Sequence, residues 1–334
     1  MQIAPTKYKS ILIALFVALL ASPSAQAKWN YYRVGHSNDI KTTPQPGFAL
    51  MGGGGKQDEA FRFLCQRANA GDFLILRADS DAATAKQLNS KIQAMCPLNS
   101  VATIVFNDRD DSDNPRIIQI IDEAESIFIA GGDQSNYLRF WQDTPIQDAL
   151  NRHIAAGKPI GGSSAGLAIL GEFSFASIID TIHSPEALAD PYGNKVTISR
   201  EFLRIPILQG IITDTHFVKR DRMGRLLVFM ARILQDGWAQ KILAIAVEED
   251  ASVLLEPDGS AKVAGKGPAY FLEATNPPTI CKHKTPLTMS AIKVHRAPKG
   301  AEFNIQTWSG TTGENYELEV NAGQVKAINA AEAY

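Results

Sequence analysis

Short apolar runs alternate with amphipathic segments through the first half of the chain. The apolar runs predict strands at residues 48–51, 73–76, 101–106, 126–130 and 158–160. The runs are mainly apolar without a polar residue at every second position, which is typical of parallel strands that are buried on both faces. The segments between them have the pattern of helices, including one long helix that ends near Ala156. We therefore predict an α/β fold, a mostly parallel sheet flanked by helices, with functional groups at the carboxyl ends of its strands.

The pattern changes in the second half of the chain. Residues 171–204 have no clear period, and two further apolar strands then enclose an amphipathic helix at residues 220–235. After about Pro277 short alternating strands prevail. We predict an α/β domain at residues 28–277 and a small β-rich C-terminal appendage at residues 278–334.

The first 27 residues have the features of an export signal. Lys7 and Lys9 form a basic head, residues 11–20 are apolar without interruption, and Ala25 and Ala27 complete an A-x-A cleavage site. The apolar run is short for a membrane span, so an uncleaved anchor is the weaker alternative. We predict a signal peptide at residues 1–27, a mature chain that starts near Lys28, and a secreted or periplasmic protein without membrane association after cleavage.

Composition narrows the range of partners. The chain is 45% hydrophobic and 20% charged with a net charge of −2, so a general affinity for nucleic acid is not expected. Cys65 and Cys96 fall in the first two predicted helical segments, which makes a disulfide between them a reasonable prediction for an exported protein. Cys281 would then stay unpaired; the alternative is three buried thiols.

Four glycines at positions 52–55 follow the first predicted strand. A phosphate-binding loop would need glycine at position 50 and serine or threonine at position 57, where the chain has Leu50 and Gln57. We instead predict a tight turn whose backbone closely approaches another part of the molecule. The acidic loop at residues 107–114 also lacks the spacing of a calcium site. No metal and no cofactor are predicted.

The candidate nucleophile lies where the strand at residues 158–160 meets a helix. Gly162, Ser163, Ser164, Ala165 and Gly166 match G-x-S-x-G, the nucleophile elbow, in which small neighbours let a strand turn sharply into a helix. Ser164 would project at the carboxyl end of the sheet. A glycine- and serine-rich turn before a buried helix is the structural alternative.

A serine nucleophile needs a base and a group that orients the base. Among the histidines of the chain, His216 follows directly on an apolar strand, whereas His153 is expected at the surface of a helix. Glu249 follows the next apolar strand and is the candidate acid, with Glu248 as the alternative.

Three arginines follow the candidate base within ten residues. Guanidinium groups suit bidentate capture of carboxylates, and cations at a helix N-terminus oppose the helix dipole. We therefore predict a local cationic pocket, against the alternative of a solvated helical turn. Its members are Arg220, Arg222 and Arg225.

These motifs, in this order, resemble the cyanophycinase family of serine exopeptidases, which includes aspartyl dipeptidases. The resemblance rests on residues 131–134 (Gly-Gly-Asp-Gln), the elbow at 162–166, and residues 214–217 (Asp-Thr-His-Phe) with the three arginines. It implies a fold like that of class I glutamine amidotransferases, which is flavodoxin-like, and it leaves a homodimer open.

The resemblance also implies roles for individual residues. Ser164 would be the nucleophile, His216 the base and Glu249 the orienting acid, in a reaction that passes through an acyl-enzyme. The backbone N–H groups of Gly132 and Ala165 would form the oxyanion hole. The residues implied to bind substrate are Gln134, Asp214, Thr215, Arg220, Arg222 and Arg225.

Two departures from the family pattern affect the substrate. The elbow has Ser163 where the family usually has threonine, and Thr215 stands where the family usually has glutamine. Cyanophycinases cleave a polymer with a poly-aspartate backbone and arginine side groups, and the implied partner here is a peptide or isopeptide with aspartyl groups. An aspartyl dipeptidase or isopeptidase of the same family is one alternative. A catalytically silent binding protein is a second, and an α/β-hydrolase esterase that recruits His283 or His295 is a third.

Overall fold

The computed structural model describes residues 1–2, 29–78 and 82–334. Apart from its first two residues, the predicted signal peptide lies outside the described residues. Within the described part of the chain, no helix is long and apolar enough to cross a membrane.

The helices are short and separate the strands of the first half of the chain. Their bounds are α1 Asp58–Arg67, α2 Ala82–Met95, α3 Pro115–Glu123, α4 Gln134–Trp141, α5 Pro145–Ala155, α6 Ala165–Ala168, α7 Ser184–Ala189 and α8 Met223–Gln235, with 3₁₀ turns at Arg109–Asp113 and Pro206–Leu208.

The strands continue to the end of the chain. The first ten are β1 Asn30–Gly35, β2 Phe48–Met51, β3 Asp72–Arg77, β4 Ser100–Val105, β5 Ser126–Ile129, β6 Ile160–Ser163, β7 Phe173–Phe175, β8 Ile198–Arg200, β9 Ile211–Thr215 and β10 Ile242–Val247. The remainder are β11 Ala251–Leu255, β12 Ser260–Gly265, β13 Ala269–Ala274, β14 Ile280–Lys282, β15 Thr285–Ala297, β16 Glu302–Asn304, β17 Ser309–Gly310, β18 Glu314–Asn321 and β19 Gln324–Ile328.

The strands form two large sheets. The first has the order β1-β4-β3-β5-β6-β2-β11-β12-β16-β17, and its strands from β4 to β2 are parallel. The second has the order β19-β18-β15-β13-β10-β9-β7-β8, in which β7, β9 and β10 are parallel. The predicted α/β fold is confirmed. Parallel pairing is confined to these central strands, and the strands outside them pair antiparallel with their neighbours.

The first sheet is apolar on both faces because it separates two cores. Phe73 and Ile75 of β3 pack into the core around α1 and α2, whereas Leu74 and Leu76 pack into the core around α3, α4 and α5. Since side chains alternate along a strand, a strand between two cores must be apolar at every position. This is the physical origin of the continuous apolar runs in the sequence.

The predicted long helix before the elbow is two helices, α4 and α5. Trp141 ends α4, Asp143 adopts a left-handed backbone conformation with φ 57°, and Pro145 begins α5. Proline fits the first turn of a helix but not its interior, where it would lack the N–H donor. The apolar periodicity is similar on both sides of this break, so the pattern alone suggested one helix.

The β-rich C-terminal residues are built into both sheets. β15 and β18 extend the second sheet beyond β13, and β16 pairs with β12 of the first sheet. These strands therefore share their hydrogen-bond ladders with the preceding strands. The division of the chain at residue 277 stays a prediction.

A disulfide connects the first two helices. It joins Cys65 of α1 to Cys96, directly after α2, while Cys281 is a buried free thiol. Of the histidines, His153 lies inside the fold rather than at its surface, and its Nε2 lies 3.0 Å from the carbonyl oxygen of Pro159. The prediction of a surface position for His153 was wrong because α5 turns this side of the helix towards the strand it precedes.

Candidate active site

Ser164 stands at a strained turn between β6 and α6. Its backbone has φ 53° and ψ −116°, a conformation that a residue with a side chain rarely adopts. A side chain at Gly162 would collide with the backbone of Gly166, and one at Gly166 would collide with the backbone of Ile129. The two glycines of the motif are therefore required by close backbone contact, and this contact forces Ser164 into its position.

His216 and Glu249 complete a chain of hydrogen bonds that starts at Ser164. The Oγ of Ser164 lies 2.6 Å from Nε2 of His216, and Nδ1 of His216 lies 2.6 Å from Oε1 of Glu249. The carboxylate accepts from Nδ1–H, so Nε2 is left as the acceptor for the serine hydroxyl. This is the arrangement that activates a serine for attack on a carbonyl carbon.

Glu248 has a different set of partners. Its Oε2 accepts hydrogen bonds from the backbone N–H groups of Val218 and Lys219, which follow His216 in the chain. Both glutamates lie beyond the end of β10, but their side chains have different partners in the histidine segment. Glu249 alone of the pair contacts the imidazole, and Glu248 holds the backbone next to it.

The glycine turn after β2 packs directly against the imidazole. Gly53 has φ +111°, and a side chain there would collide with the ring of His216. The backbone N–H of His216 donates to the carbonyl of Gly52 at 2.8 Å. The sequence prediction of a turn that closely approaches another part of the molecule is thus confirmed, and its partner is the candidate base.

The environment of His216 favours the neutral imidazole. Burial lowers the pKa of His216 below its ordinary value of 6.5, and the charges of Arg220 and Arg222 lower it further, against the opposing hydrogen bond to Glu249. A neutral imidazole at neutral pH can accept a proton, which is the property required of a general base.

Two cavities meet beside Ser164. The larger, of about 740 Å³, contains Ser164 and His216 and has an apolar wall formed by Phe61, Leu88 and Phe128. The smaller, of about 370 Å³, is mainly polar and contains Gln134 with three arginines. Gly132 and Arg220 border both cavities. The arginines of the polar cavity are Arg139, Arg220 and Arg222.

The two predicted oxyanion donors belong to segments that adjoin Ser164. Ala165 is the first residue of α6, where backbone N–H groups have no partner within the helix. Gly132 follows Gly131, whose Cα is close enough to Ser164 that an added methyl group would lie 3.3 Å from the serine Cβ. Gly132 is exposed and borders both cavities, which suits a donor that faces substrate.

Asp214, Thr215 and Arg225 do not reach the cavities, contrary to the substrate-binding roles that we predicted for them. Asp214 and Arg225 are each only 2% exposed and form a bidentate ion pair, with Arg225 Nε 2.9 Å from Asp214 Oδ2. The guanidinium of Arg225 also lies over the ring of Phe175. Asp214 also lies 3.7 Å from Nη1 of Arg222, and burial keeps both Asp214 and Arg225 away from the cavities.

Thr215 anchors one of the arginines that does face the polar cavity. Nη1 of Arg222 donates to the carbonyl of Thr215 at 2.9 Å and to its hydroxyl at 3.1 Å. Burial, together with the charges of Arg225 and Arg220, lowers the pKa of Arg222 to about 10, so it stays cationic at neutral pH. Thr215 therefore positions a cation instead of contacting substrate itself.

Two residues near the site were not identified from the sequence. Arg139 lies in the second turn of α4, the helix that begins at Gln134, and both residues border the polar cavity. Gln57 is buried between the elbow and the glycine turn. Neither residue is part of a motif, and only the packing of α1 and α4 on the sheet brings them to the site.

We predict that Asp214 is required for stability. Replacing Asp214 with alanine leaves the buried Arg225 charge unpaired and should lower the free energy of unfolding by ~3–5 kcal/mol. The matched control is Asp122→Ala, which removes the partner of Arg152 in an exposed ion pair and should cost less than ~1 kcal/mol. Urea denaturation of the two variants measures both values, and equal costs would contradict the prediction.

Comparisons with known proteins find similar peptidases. The model of peptidase family S51 matches residues 84–188, which contain the elbow. A cyanophycinase of Synechococcus elongatus is 26% identical over 272 residues, covering 77% of this chain and 79% of that protein. A cyanophycinase of Trichormus variabilis is 24% identical over 215 residues, covering 61% of this chain and 65% of that protein.

A solved peptidase from an acI-B1 Actinobacterium shares the fold. Its TM-score is 0.54 at 15% identity, and the match covers 78% of this chain and 98% of that one. The elbow lies within the S51 match, and the two cyanophycinases extend the similarity over most of the chain. The chain is therefore similar to peptidase family S51 and to the cyanophycinases, and this similarity indicates a serine peptidase.

Proposed function

We propose that the protein hydrolyses aspartyl peptides of the cyanophycin type through a Ser164–His216–Glu249 triad. The observation that carries the proposal is the continuous hydrogen-bond chain from the Ser164 hydroxyl through the imidazole to the Glu249 carboxylate, with both bonds at 2.6 Å. The strained backbone of Ser164 supports it, because such strain concentrates at functional sites.

The proposed reaction has two stages. Ser164 Oγ attacks the scissile carbonyl carbon while Nε2 of His216 takes the hydroxyl proton, and the N–H groups of Gly132 and Ala165 stabilise the oxyanion. His216 then gives its proton to the leaving amine, and the C–N bond breaks to leave an ester on Ser164. Water, deprotonated by His216, attacks this ester and releases the acid and the free serine hydroxyl.

The polar cavity suits the aspartyl group of the substrate. Arg220 and Arg222 border it together with Gln134, and guanidinium groups bind carboxylates by paired hydrogen bonds. Asp133 and Asp180 also border this cavity, so it offers partners for both signs of charge. A zwitterionic end group, such as a β-aspartyl residue with its free amine and carboxylate, would match this mixture.

The larger cavity favours short aspartyl peptides as a second candidate substrate. Phe61 and Phe128 contact each other edge to face at 4.9 Å, and with Leu88 they form an apolar wall near Ser164. Cyanophycin carries only aspartate and arginine, and of these only the methylene stem of arginine could pack against this wall, so an apolar side chain would bury more surface there. A peptide with an apolar residue across the scissile bond from the aspartyl group would do so.

We predict that the triad residues are essential. Ser164→Ala and His216→Gln should each lower kcat/KM by at least ~10³-fold, and Glu249→Gln by up to ~10⁴-fold, because the triad acts as a unit. The substrates are cyanophycin and matched α- and β-aspartyl dipeptides with apolar or arginine partners. Circular dichroism checks that each variant is folded.

The controls separate the alternatives. Glu248→Gln should cause a much smaller loss than Glu249→Gln, and His295→Gln should keep activity unless an esterase-type triad operates. Labelling of Ser164 with a fluorophosphonate distinguishes an enzyme from a silent binding protein, since only an activated serine reacts. Full turnover by Ser164→Ala would refute the proposed mechanism.

We predict that kcat/KM falls at low pH with a midpoint that depends on Arg220. His216 must be neutral to act, so kcat/KM falls as pH drops through its pKa; because that pKa lies below the ordinary 6.5, activity should persist below pH 6.5. Arg220→Gln removes a nearby positive charge and should move the midpoint of this limb to higher pH. Arg116→Gln, an exposed arginine of α3, is the control and should leave the midpoint unchanged.

We propose that the protein works outside the cytoplasm. The leader composition supports export, and the Cys65–Cys96 disulfide suits an oxidising compartment. We expect protein recovered from the periplasm or medium to begin near Lys28, and Cys65 and Cys96 to resist alkylation until reduction. A cytoplasmic protein with an intact leader and two reactive thiols would contradict this prediction. N-terminal sequencing and mass spectrometry of alkylated peptides measure both.

A further inference from the structure

Gln57 occupies an unusual position for a buried amide. It is the residue that precedes α1, where a polar side chain would ordinarily cap the helix, yet its side chain makes no capping hydrogen bond. The side chain instead turns away from α1 and is only 5% exposed. A buried amide needs partners for both of its ends, so its partners define what it does.

Both ends of the amide bond to the active site. Oε1 of Gln57 accepts from the hydroxyl of Ser163, the residue before the nucleophile, at 3.0 Å. Nε2 of Gln57 donates to the carbonyl of Gly53 at 2.9 Å, and Gly53 is the residue that packs against the His216 ring. The side chain therefore bridges the segment that carries the nucleophile and the segment that confines the base.

The Gln57 bridge restrains the part of the glycine turn that backbone hydrogen bonds to the elbow do not fix. Ser164 N donates to the carbonyl of Met51 at 3.1 Å, which fixes the elbow to the start of the glycine turn. Gly53 lies two residues further along, in a glycine-rich loop with little conformational restraint of its own. The carbonyl of Gly53 also accepts from Asp250 N at 2.9 Å, so Gln57 is the second of two bonds that hold it against the imidazole.

We propose that Gln57, through Ser163 and Gly53, is the positioning residue that sets the contact between Ser164 and His216. The predicted effect on catalysis rests on the proposed function. The predicted effect on the His216 ring does not, because the hydrogen bonds of Gln57 are present in the protein without substrate. Ser163 differs from the threonine usual in the cyanophycinase family but keeps the hydroxyl, which is the group the bridge requires.

The primary test follows His216 directly. Imidazole NMR titration of wild type and Gln57→Leu compares the pKa of His216 without any need for activity. Leucine removes both hydrogen bonds at similar volume, so the glycine turn should loosen, water should reach the ring, and the His216 pKa should rise towards its ordinary value. An unchanged His216 titration in Gln57→Leu would overturn the inference.

A matched control variant separates positioning from general loss of stability. Asn89 is also a buried amide that accepts from a neighbouring hydroxyl, Thr103 at 2.6 Å, and donates to a backbone carbonyl, Tyr32 at 3.0 Å. Asn89→Leu should lower the free energy of unfolding by an amount similar to that of Gln57→Leu. It should not change the His216 titration, and an equal change in both variants would assign the effect to stability.

Activity gives the second readout. Gln57→Leu should slow fluorophosphonate labelling of Ser164 and lower kcat by ~10- to 100-fold, because small misplacement of reacting groups has effects of this size, with KM nearly unchanged. Ser163→Ala should cause a similar loss, and the double variant should be no slower than Gln57→Leu within about twofold, because the two residues act through one bond. Losses that multiply in the double variant would contradict the bridge.

The outcomes distinguish this inference from the proposed function. If wild-type protein neither reacts with the fluorophosphonate nor hydrolyses aspartyl peptides, the proposed function fails while the His216 titration still decides the role of Gln57. If wild type is active and Gln57→Leu has the wild-type titration and labelling rate, the proposed function stands and Gln57 has no positioning role.

Discussion

The arrangement of the candidate triad depends on one constraint, the close approach of the glycine turn to the segments that carry Ser164, His216 and Glu249. The carbonyl of Met51 accepts a hydrogen bond from the backbone N–H of Ser164, and the carbonyl of Gly52 accepts one from the backbone N–H of His216. Asp250 follows Glu249, and its backbone N–H donates to the carbonyl of Gly53. The carboxylate of Asp250 accepts from the N–H groups of Gly55 and Lys56, both at 3.0 Å. Three distant parts of the sequence are thus fixed to one short loop, which has no side chains where contact is closest.

Charge near Ser164 is divided between the buried Asp214–Arg225 pair and two arginines that border the cavities. Asp214 and Arg225 neutralise each other beneath the site, where desolvation makes an unpaired charge costly. Arg220 and Arg222 remain at the cavities, and their positive charge also disfavours protonation of His216. The arginines that border the cavities therefore help to keep the imidazole of His216 neutral.

Much of this organisation follows from local sequence. The continuous apolar runs specify strands because a strand between two cores must be apolar on both sides, and the small residues at 162–166 specify a turn that larger side chains would block. The positions of Ser164 and His216 after apolar strands place both at one edge of the parallel strands. The fold class and two members of the candidate triad were predictable for these reasons.

The remainder depends on contacts between residues far apart in the chain. Neighbouring glutamates have nearly identical sequence contexts, and only the turn between β10 and β11 directs Glu249 to the imidazole and Glu248 to the backbone. Arg225 closely follows Arg220 and Arg222 in the sequence, but it lies within α8, where it is buried against Asp214. Gln57 lies more than a hundred residues from Ser163. The sequence thus determined which local structures carry the chemistry, and tertiary packing decided which polar side chains face substrate and which hold the site together, because burial and partner choice are set by the whole fold.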